Sequence, residues 1–138
     1  MTNEKLNAVR LWLKKAAHDL ASAKALAAAS EYLLDTAIYH CQQAAEKAVK
    51  AFLVFHDVRF EKTHNIALLV GSATKVDPRF ASRSQAAEFL TPYASLFRYP
   101  DEEFEPSRKE FDEALQRAEE LFAFVLSLLP QGFTRADQ

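Results

Sequence analysis

The sequence predicts an all-α protein, an up-and-down bundle of four to five helices. Two glycines and five prolines in 138 residues leave few helix breakers, whereas alanine, leucine, glutamate and lysine, which favour helices, are abundant. Apolar side chains also recur at intervals of three and four over long stretches, which is the period of an amphipathic helix. The length fits one domain, and we expect residues 1–130 to form the bundle and 131–138 a mobile tail.

The first two helices are predicted to form an antiparallel hairpin. A first helix from about Glu4 to Ala29 is indicated by an apolar stripe consisting of Leu6, Val9, Leu13, Ala16, Leu20, Ala23 and Ala27. After a short break, Asp35 is the predicted N-terminal cap of a central helix that ends near Asp57. Long helices joined by a short link lie side by side in opposite directions.

The predicted central helix carries one apolar face and one polar stripe. The apolar face consists of Leu34, Ala37, Ile38, Cys41, Ala45, Ala48, Phe52 and Phe55. Gln43, Lys47 and Lys50 recur at the same spacing on another side, and His40 lies at the boundary. We expect Cys41 to be a small core side chain rather than a reactive thiol.

The second half of the chain contains signals for three further helices. Thr63 is the predicted cap of a third helix. Asp77, directly before a proline, marks the start of the next helical region, and we expect a fourth helix from Phe80 or Ala86 to Leu96. Ser107 and Glu110, three residues apart, form a capping box that opens the last helix.

Charge and composition argue against several classes of partner and cofactor. The formal net charge of −2 gives no bulk attraction to DNA or to an anionic membrane. No apolar run approaches the roughly 20 residues that span a bilayer. The single cysteine cannot form an internal disulfide, which fits a reducing cytoplasm. We therefore expect a cytoplasmic protein. Because the sequence has no zinc-ligand spacing and no phosphate-binding glycine loop, we also expect no metal and no cofactor.

Two groups of residues are candidates for a functional site. His40, flanked on its helix by Gln43 and Lys47, could bind a phosphate or a base, or could be a hydrogen-bonded histidine at a helix interface. Arg98 and Tyr99 stand immediately before a helix-breaking proline, where a guanidinium suits a phosphate or carboxylate. The alternative for Arg98 is an ion pair with the acidic residues that follow it. His64 either fixes the start of the third helix or takes part in a site.

Four segments, in order, resemble the prokaryotic HEPN domain over roughly residues 5 to 129. They are WLKKAAHDLASA from Trp12, HCQQAAEKAVKA from His40, KTHN from Lys62 and RYP from Arg98. The resemblance implies a helical bundle that homodimerises. It also implies a nucleotidyltransferase partner, since many members form complexes with a minimal nucleotidyltransferase, often as toxin and antitoxin. A nucleotide is then the candidate ligand.

The resemblance does not extend to the catalytic motif of active members. Those members carry an arginine, a polar residue and then a histidine after four to six intervening positions, which form a metal-independent ribonuclease site. After Arg98 the corresponding positions hold Glu103, Phe104 and Glu105, whose carboxylates disfavour RNA. An Arg-x4-His spacing does occur from Arg59 to His64, but it lies in the link after the central helix.

We therefore expect a non-catalytic dimeric partner of a nucleotidyltransferase. Its ligand surface would consist of Arg98, Tyr99, His40, Gln43 and Lys47. One alternative is a ribonuclease with a degenerate site, in which Arg98 acts with His40 or His64. The other is a helical dimerisation scaffold in which all these polar residues are structural.

Overall fold

The computed structural model describes residues 2–96 and 105–133, and no strand occurs in these two ranges. The α-helices are α1 (Asn3–Ala29), α2 (Leu34–Phe55), α3 (Ile66–Val76), α4 (Ser84–Leu90) and α5 (Arg108–Leu128). Short 3-10 helices span Glu31–Leu33, Pro78–Arg83, Thr91–Ala94 and Gln131–Phe133. The predicted fold class, an all-α helical bundle, is confirmed. None of the described helices is both long enough and apolar enough to cross a membrane.

Helices α1 and α2 form the predicted antiparallel hairpin. One ion pair joins Lys5 near the start of α1 to Asp57 just beyond the end of α2, with 2.7 Å between Nζ and Oδ2. Further along, Asp19 of α1 pairs with His40 and Lys47 of α2. Buried alanines from both helices line the contact, so the two backbones can approach closely.

Helix α2 is the centre of the molecule, surrounded by α1, α3 and α5. Every residue from Cys41 to Leu53 is buried except Lys47, which is half-buried. The polar stripe is therefore covered as well, and Gln43 and Lys50 lie inside the protein. The covering elements are α1 and the segment of residues 56–65, which we call the α2–α3 link.

Two of the predicted helix caps are each wrong by two residues. Helix α2 begins at Leu34, directly after a 3-10 helix whose own cap is Ser30, so Asp35 lies in the first turn and does not cap it. Helix α3 is capped by Asn65, whose side chain accepts a hydrogen bond from the helix backbone. Thr63 instead accepts from the Asn65 backbone N–H at 3.1 Å. In both places an extra turn before the helix displaces the cap.

Two other predicted helix starts are confirmed. The Ser107 hydroxyl accepts from the Glu110 backbone N–H at 3.0 Å and caps α5. The Glu110 carboxylate accepts a hydrogen bond from the Tyr93 hydroxyl, which ties α5 to the preceding 3-10 helix. Asp77 caps the 3-10 helix that begins at the following proline. The predicted helix before Leu96 is shorter than expected, because α4 ends at Leu90 and a 3-10 turn containing a proline replaces its last part.

The bundle extends past residue 130, where we had placed its end. Residues 131–133 form a 3-10 helix, and Phe133 is buried with its ring edge-on to Phe55 at 5.9 Å between centroids. An aromatic side chain after the helix stop can still add apolar contact, so this part of the predicted tail belongs to the bundle. Residues 134–138 lie outside the described residues.

Cys41 is fully buried, which confirms its predicted place in the core. Burial raises the pKa of its thiol to about 12, and the charge of Glu119 adds to the effect.

Since the thiolate is the reactive form, we expect alkylation of Cys41 in the folded protein to be slower than that of a free cysteine by on the order of a hundredfold or more. Mass spectrometry of iodoacetamide labelling, with and without denaturant, measures the alkylation rate of Cys41 in the unfolded and the folded protein. Equal labelling rates in the two conditions would contradict the assignment.

Candidate functional site

The candidate site residues that the structure describes lie on one side of α2, where α1 and the α2–α3 link cover it. His40, Gln43 and Lys47 belong to α2, and His64 belongs to the link. Arg98 and Tyr99 fall outside the described residues. The part of the site that can be described is therefore the set of polar contacts between α1, α2 and the link.

The carboxylate of Asp19 brings His40 and Lys47 together. His40 Nδ1 lies 2.8 Å from Oδ1 of Asp19, and Lys47 Nζ lies 2.6 Å from Oδ2. Asp19 itself is buried on α1, and the two α2 side chains remain partly exposed at their outer edges. The geometry of His40 is thus that of a hydrogen-bonded histidine at a helix interface. We call these three residues the Asp19 cluster.

A second carboxylate, that of Glu46 on α2, accepts hydrogen bonds from four side chains. Its side chain is only 3% exposed. Oε2 lies 2.9 Å from Lys50 Nζ, and Oε1 lies 2.9 Å from His64 Nδ1. The side-chain amides of Gln42 and Gln43 also donate to Oε1, at 3.1 and 3.5 Å. Each oxygen of this buried charge therefore has a partner, as a carboxylate inside a protein requires. We call these five residues the Glu46 cluster.

The ammonium group of Lys50 joins α1 to the link as well as neutralising Glu46. It lies 5.4 Å from the centroid of the Trp12 ring on α1 and 5.6 Å from the centroid of the Phe60 ring on the link. Both distances are in the range of cation–π attraction, which is stronger at a site shielded from water. Lys50 thus holds α1, α2 and the link together at one level.

His64 differs from the other residues of the Glu46 cluster, because its ring is hydrogen-bonded to a buried carboxylate and is nevertheless exposed. Its side chain is 64% exposed although Nδ1 is hydrogen-bonded to the buried Glu46. The Gln42 side-chain amide also donates to the His64 carbonyl oxygen at 2.9 Å, which fixes the backbone. In a neutral imidazole whose Nδ1–H is held by a carboxylate, Nε2 is the nitrogen that can accept a proton.

The Asp19 and Glu46 clusters together form one polar layer between α1, α2 and the link. The layer can orient two imidazoles, but its buried carboxylates neutralise its lysines. Within residues 2–96 and 105–133, no group of three histidine, cysteine or acidic side chains could hold a metal ion. The imidazoles, amides, ammonium groups and carboxylates of the layer are hydrogen-bonding groups, and its imidazoles can also transfer protons.

Sequence reasoning found His40, Gln43, Lys47 and His64 but missed the carboxylates that bind them. Glu46 and Lys50 stand four residues apart on one helix, which is a usual spacing for an ion pair. That spacing was the available signal for the Glu46 cluster. Asp19 lies 21 residues from His40 and 28 from Lys47, and no local pattern marks such a contact.

The end of the described segment before Arg98 lies beside the start of α3. The hydroxyl of Thr91 accepts hydrogen bonds from the backbone N–H groups of Ile66 and Ala67, at 3.1 and 3.4 Å. These are the first two residues of α3, directly after the anchored link. The contact therefore fixes the 3-10 helix Thr91–Ala94 against the same part of the bundle that carries His64.

The described structure is that of an all-α bundle built around one largely buried central helix. A model of the HEPN domain matches residues 9–128, and this chain belongs to the HEPN family. The family resemblance inferred from the sequence is thereby confirmed.

Several relatives share the fold over nearly their whole length. The chain is 25% identical to a Methanocaldococcus jannaschii protein named "Putative toxin MJ1304", over 90% of each chain. The crystal structure of TT1696 from Thermus thermophilus matches with a TM-score of 0.76 and 31% identity, covering 89% of this chain and 99% of that one. ST0689, an archaeal HEPN homologue, matches with a TM-score of 0.68 and 29% identity, covering 87% and 96%.

The Glu46–Lys50 pair gives a direct test of the polar layer. Replacing Glu46 by Ala leaves the Lys50 ammonium buried without a counter-charge, and we expect the free energy of unfolding to fall by about 3–5 kcal/mol. Adding Lys50→Met removes the buried charge, so the double variant should be more stable than Glu46→Ala alone. Urea denaturation of the four proteins of this cycle measures both effects. A double variant that is less stable than Glu46→Ala would contradict the pairing.

Proposed function

We propose that this chain is the HEPN component of a toxin–antitoxin-like module. In this module it forms a homodimer and binds a nucleotidyltransferase protein without cleaving RNA itself. Membership of the HEPN family supports the assignment, as does similarity to an archaeal protein whose name describes it as a toxin. The nucleotidyltransferase and the homodimer rest on the family resemblance of the four sequence segments.

The observation that carries the non-catalytic assignment is the pairing of the Lys47 ammonium with the buried Asp19. A phosphate-cleaving site needs a cation for the phosphate as well as a base for the attacking hydroxyl. Here the Asp19 carboxylate lies 2.6 Å from Lys47 Nζ and neutralises this cation, while it contacts only Nδ1 of His40, at 2.8 Å. The positions after Arg98 where active members carry histidine also hold Glu103, Phe104 and Glu105.

The ligand surface in this proposal is the outer edge of the Asp19 cluster together with Arg98 and Tyr99. His40 and Lys47 keep partly exposed edges, whereas Gln43 is buried and donates to Gln42 and Glu46. Gln43 therefore contributes by holding the layer in place, and Arg98 is the residue assigned to direct contact. A nucleotide, or an anionic group of the partner, is the ligand class that suits the guanidinium of Arg98.

Affinity purification from the native cell tests this proposal. We expect the tagged chain to retain a nucleotidyltransferase in near-equal amounts, and Arg98→Ala to lower the retained amount by on the order of tenfold. Quantitative mass spectrometry measures the ratio. Lys75→Ala is the matched control, since it removes an exposed cation elsewhere on the bundle, on α3. A wild-type chain recovered without a nucleotidyltransferase would refute the proposal.

The exposed imidazole of His64 favours a second candidate function, metal-independent cleavage of single-stranded RNA. In this reaction the ribose 2′-oxygen bonds to phosphorus while its proton passes to His64 Nε2. The bond to the 5′-oxygen breaks, and that oxygen takes a proton from water. Glu46 would hold the imidazole in the required tautomer through Nδ1, and Arg98 would hold the phosphate.

The two functions differ in an RNA-cleavage assay with chelator present. If His64 transfers the proton, His64→Gln should reduce cleavage by on the order of a hundredfold. His18→Gln is the matched control, because His18 is an exposed histidine on α1 outside the polar layer. Equal cleavage by wild type and His64→Gln would exclude His64 as the base.

A further inference from the structure

Several cations of the described residues are exposed and make no ion pair there. Some lysines and arginines in these ranges have a carboxylate partner, for example Lys5, Lys24 and Arg108. Lys15 of α1 and Arg59 and Lys62 of the link have none within the described chain, and all three are exposed. Charged side chains left unpaired are free to contact another molecule.

The contacts of Lys50 place these three cations on the same face of the bundle. Trp12 and Phe60 both lie within 6 Å of its ammonium, so α1 and the link are neighbours at this level. Lys15 follows Trp12 by three positions and precedes Asp19 by four, which puts it on the same side of α1. Arg59 and Lys62 flank Phe60 in the link.

An exposed apolar residue neighbours Lys15 on α1. Leu11 is 56% exposed and stands four positions before Lys15, on the adjoining turn of α1. We call Leu11, Lys15, Arg59 and Lys62 the basic face. The buried carboxylates next to it, Asp19 and Glu46, are already neutralised by the polar layer. Glu61, which is exposed between Arg59 and Lys62, offsets one of the three cations, so the basic face keeps a net positive charge although the whole chain is at −2.

We propose that the basic face is a docking surface for an acidic segment of a partner protein. The carboxylates of that segment pair with Lys15, Arg59 and Lys62, and an apolar side chain of the segment covers Leu11. This inference rests on the proposed function, since the partner it serves is the nucleotidyltransferase. Surface charges of this kind raise the association rate and orient the partner.

The composition of the basic face favours a protein over a nucleic acid. Single-stranded nucleic acids bind where bases stack on open aromatic faces between phosphate-binding cations. Here the rings of Trp12 and Phe60 are half-buried and already contacted by Lys50. The exposed apolar group is the aliphatic Leu11, which matches a protein side chain and gives a base no stacking surface.

Charge reversal in the full-length chain tests the docking surface. The test variant carries Lys15→Glu and Lys62→Glu. The control carries Lys75→Glu and Lys109→Glu, which are exposed lysines of α3 and α5 and change the net charge equally. Circular dichroism first establishes that both variants remain folded. In purification from native cells, we expect the test variant to retain on the order of tenfold less nucleotidyltransferase, and the control to retain the wild-type amount.

Each outcome separates the docking surface from the proposed function. Equal retention by wild type, test variant and control overturns the docking surface and leaves the module intact. Absence of a nucleotidyltransferase from the wild-type purification overturns the module instead. In that case, fluorescence anisotropy measures the binding of a labelled peptide of alternating glutamate and leucine to the basic face. Peptide binding that only the test variant loses supports the docking surface, whereas no peptide binding, or tighter binding to a labelled oligouridylate, overturns it.

Discussion

The buried carboxylate of Glu46 sets the constraint on which the arrangement around α2 depends. A charge inside a protein is strongly unfavourable unless hydrogen-bond donors and a counter-charge surround it. Lys50 and Gln42 supply donors from the neighbouring turns of the same helix, and His64 supplies one from the link. Satisfying this one group therefore fixes the path of the α2–α3 link against α2, and with it the start of α3.

The polar layer separates residues that hold the fold from residues that remain available for function. Asp19 engages His40 and Lys47, and Glu46 engages Lys50, so the charges nearest the centre of the bundle neutralise one another. What remains for function is the exposed ring of His64 and the cations at the edge of the layer. This division favours recognition of a partner over catalysis in the Asp19 cluster.

The interactions of Lys50 connect the fold to the proposed docking surface. Its ammonium pairs with Glu46 and contacts the rings of Trp12 and Phe60, so α1 and the link are held at a fixed separation. The exposed cations on either side, Lys15 and Lys62, are thereby presented by a rigid support. Rigid presentation lowers the conformational entropy lost on binding, which is how a few surface charges can select a partner.

The sequence by itself determined the features that depend on composition or on residues close together along the chain. The all-α class, the Ser107 cap and the buried position of Cys41 each follow from composition or from spacing along one helix. The tertiary structure alone decided the role of the polar stripe. Its burial and its pairing with Asp19 need contacts between residues more than twenty positions apart, and helical periodicity shows which residues share a face but not what covers that face. Polar side chains that would be solvated on an isolated helix become buried or half-buried groups with hydrogen-bond partners once α1 and the link pack against them.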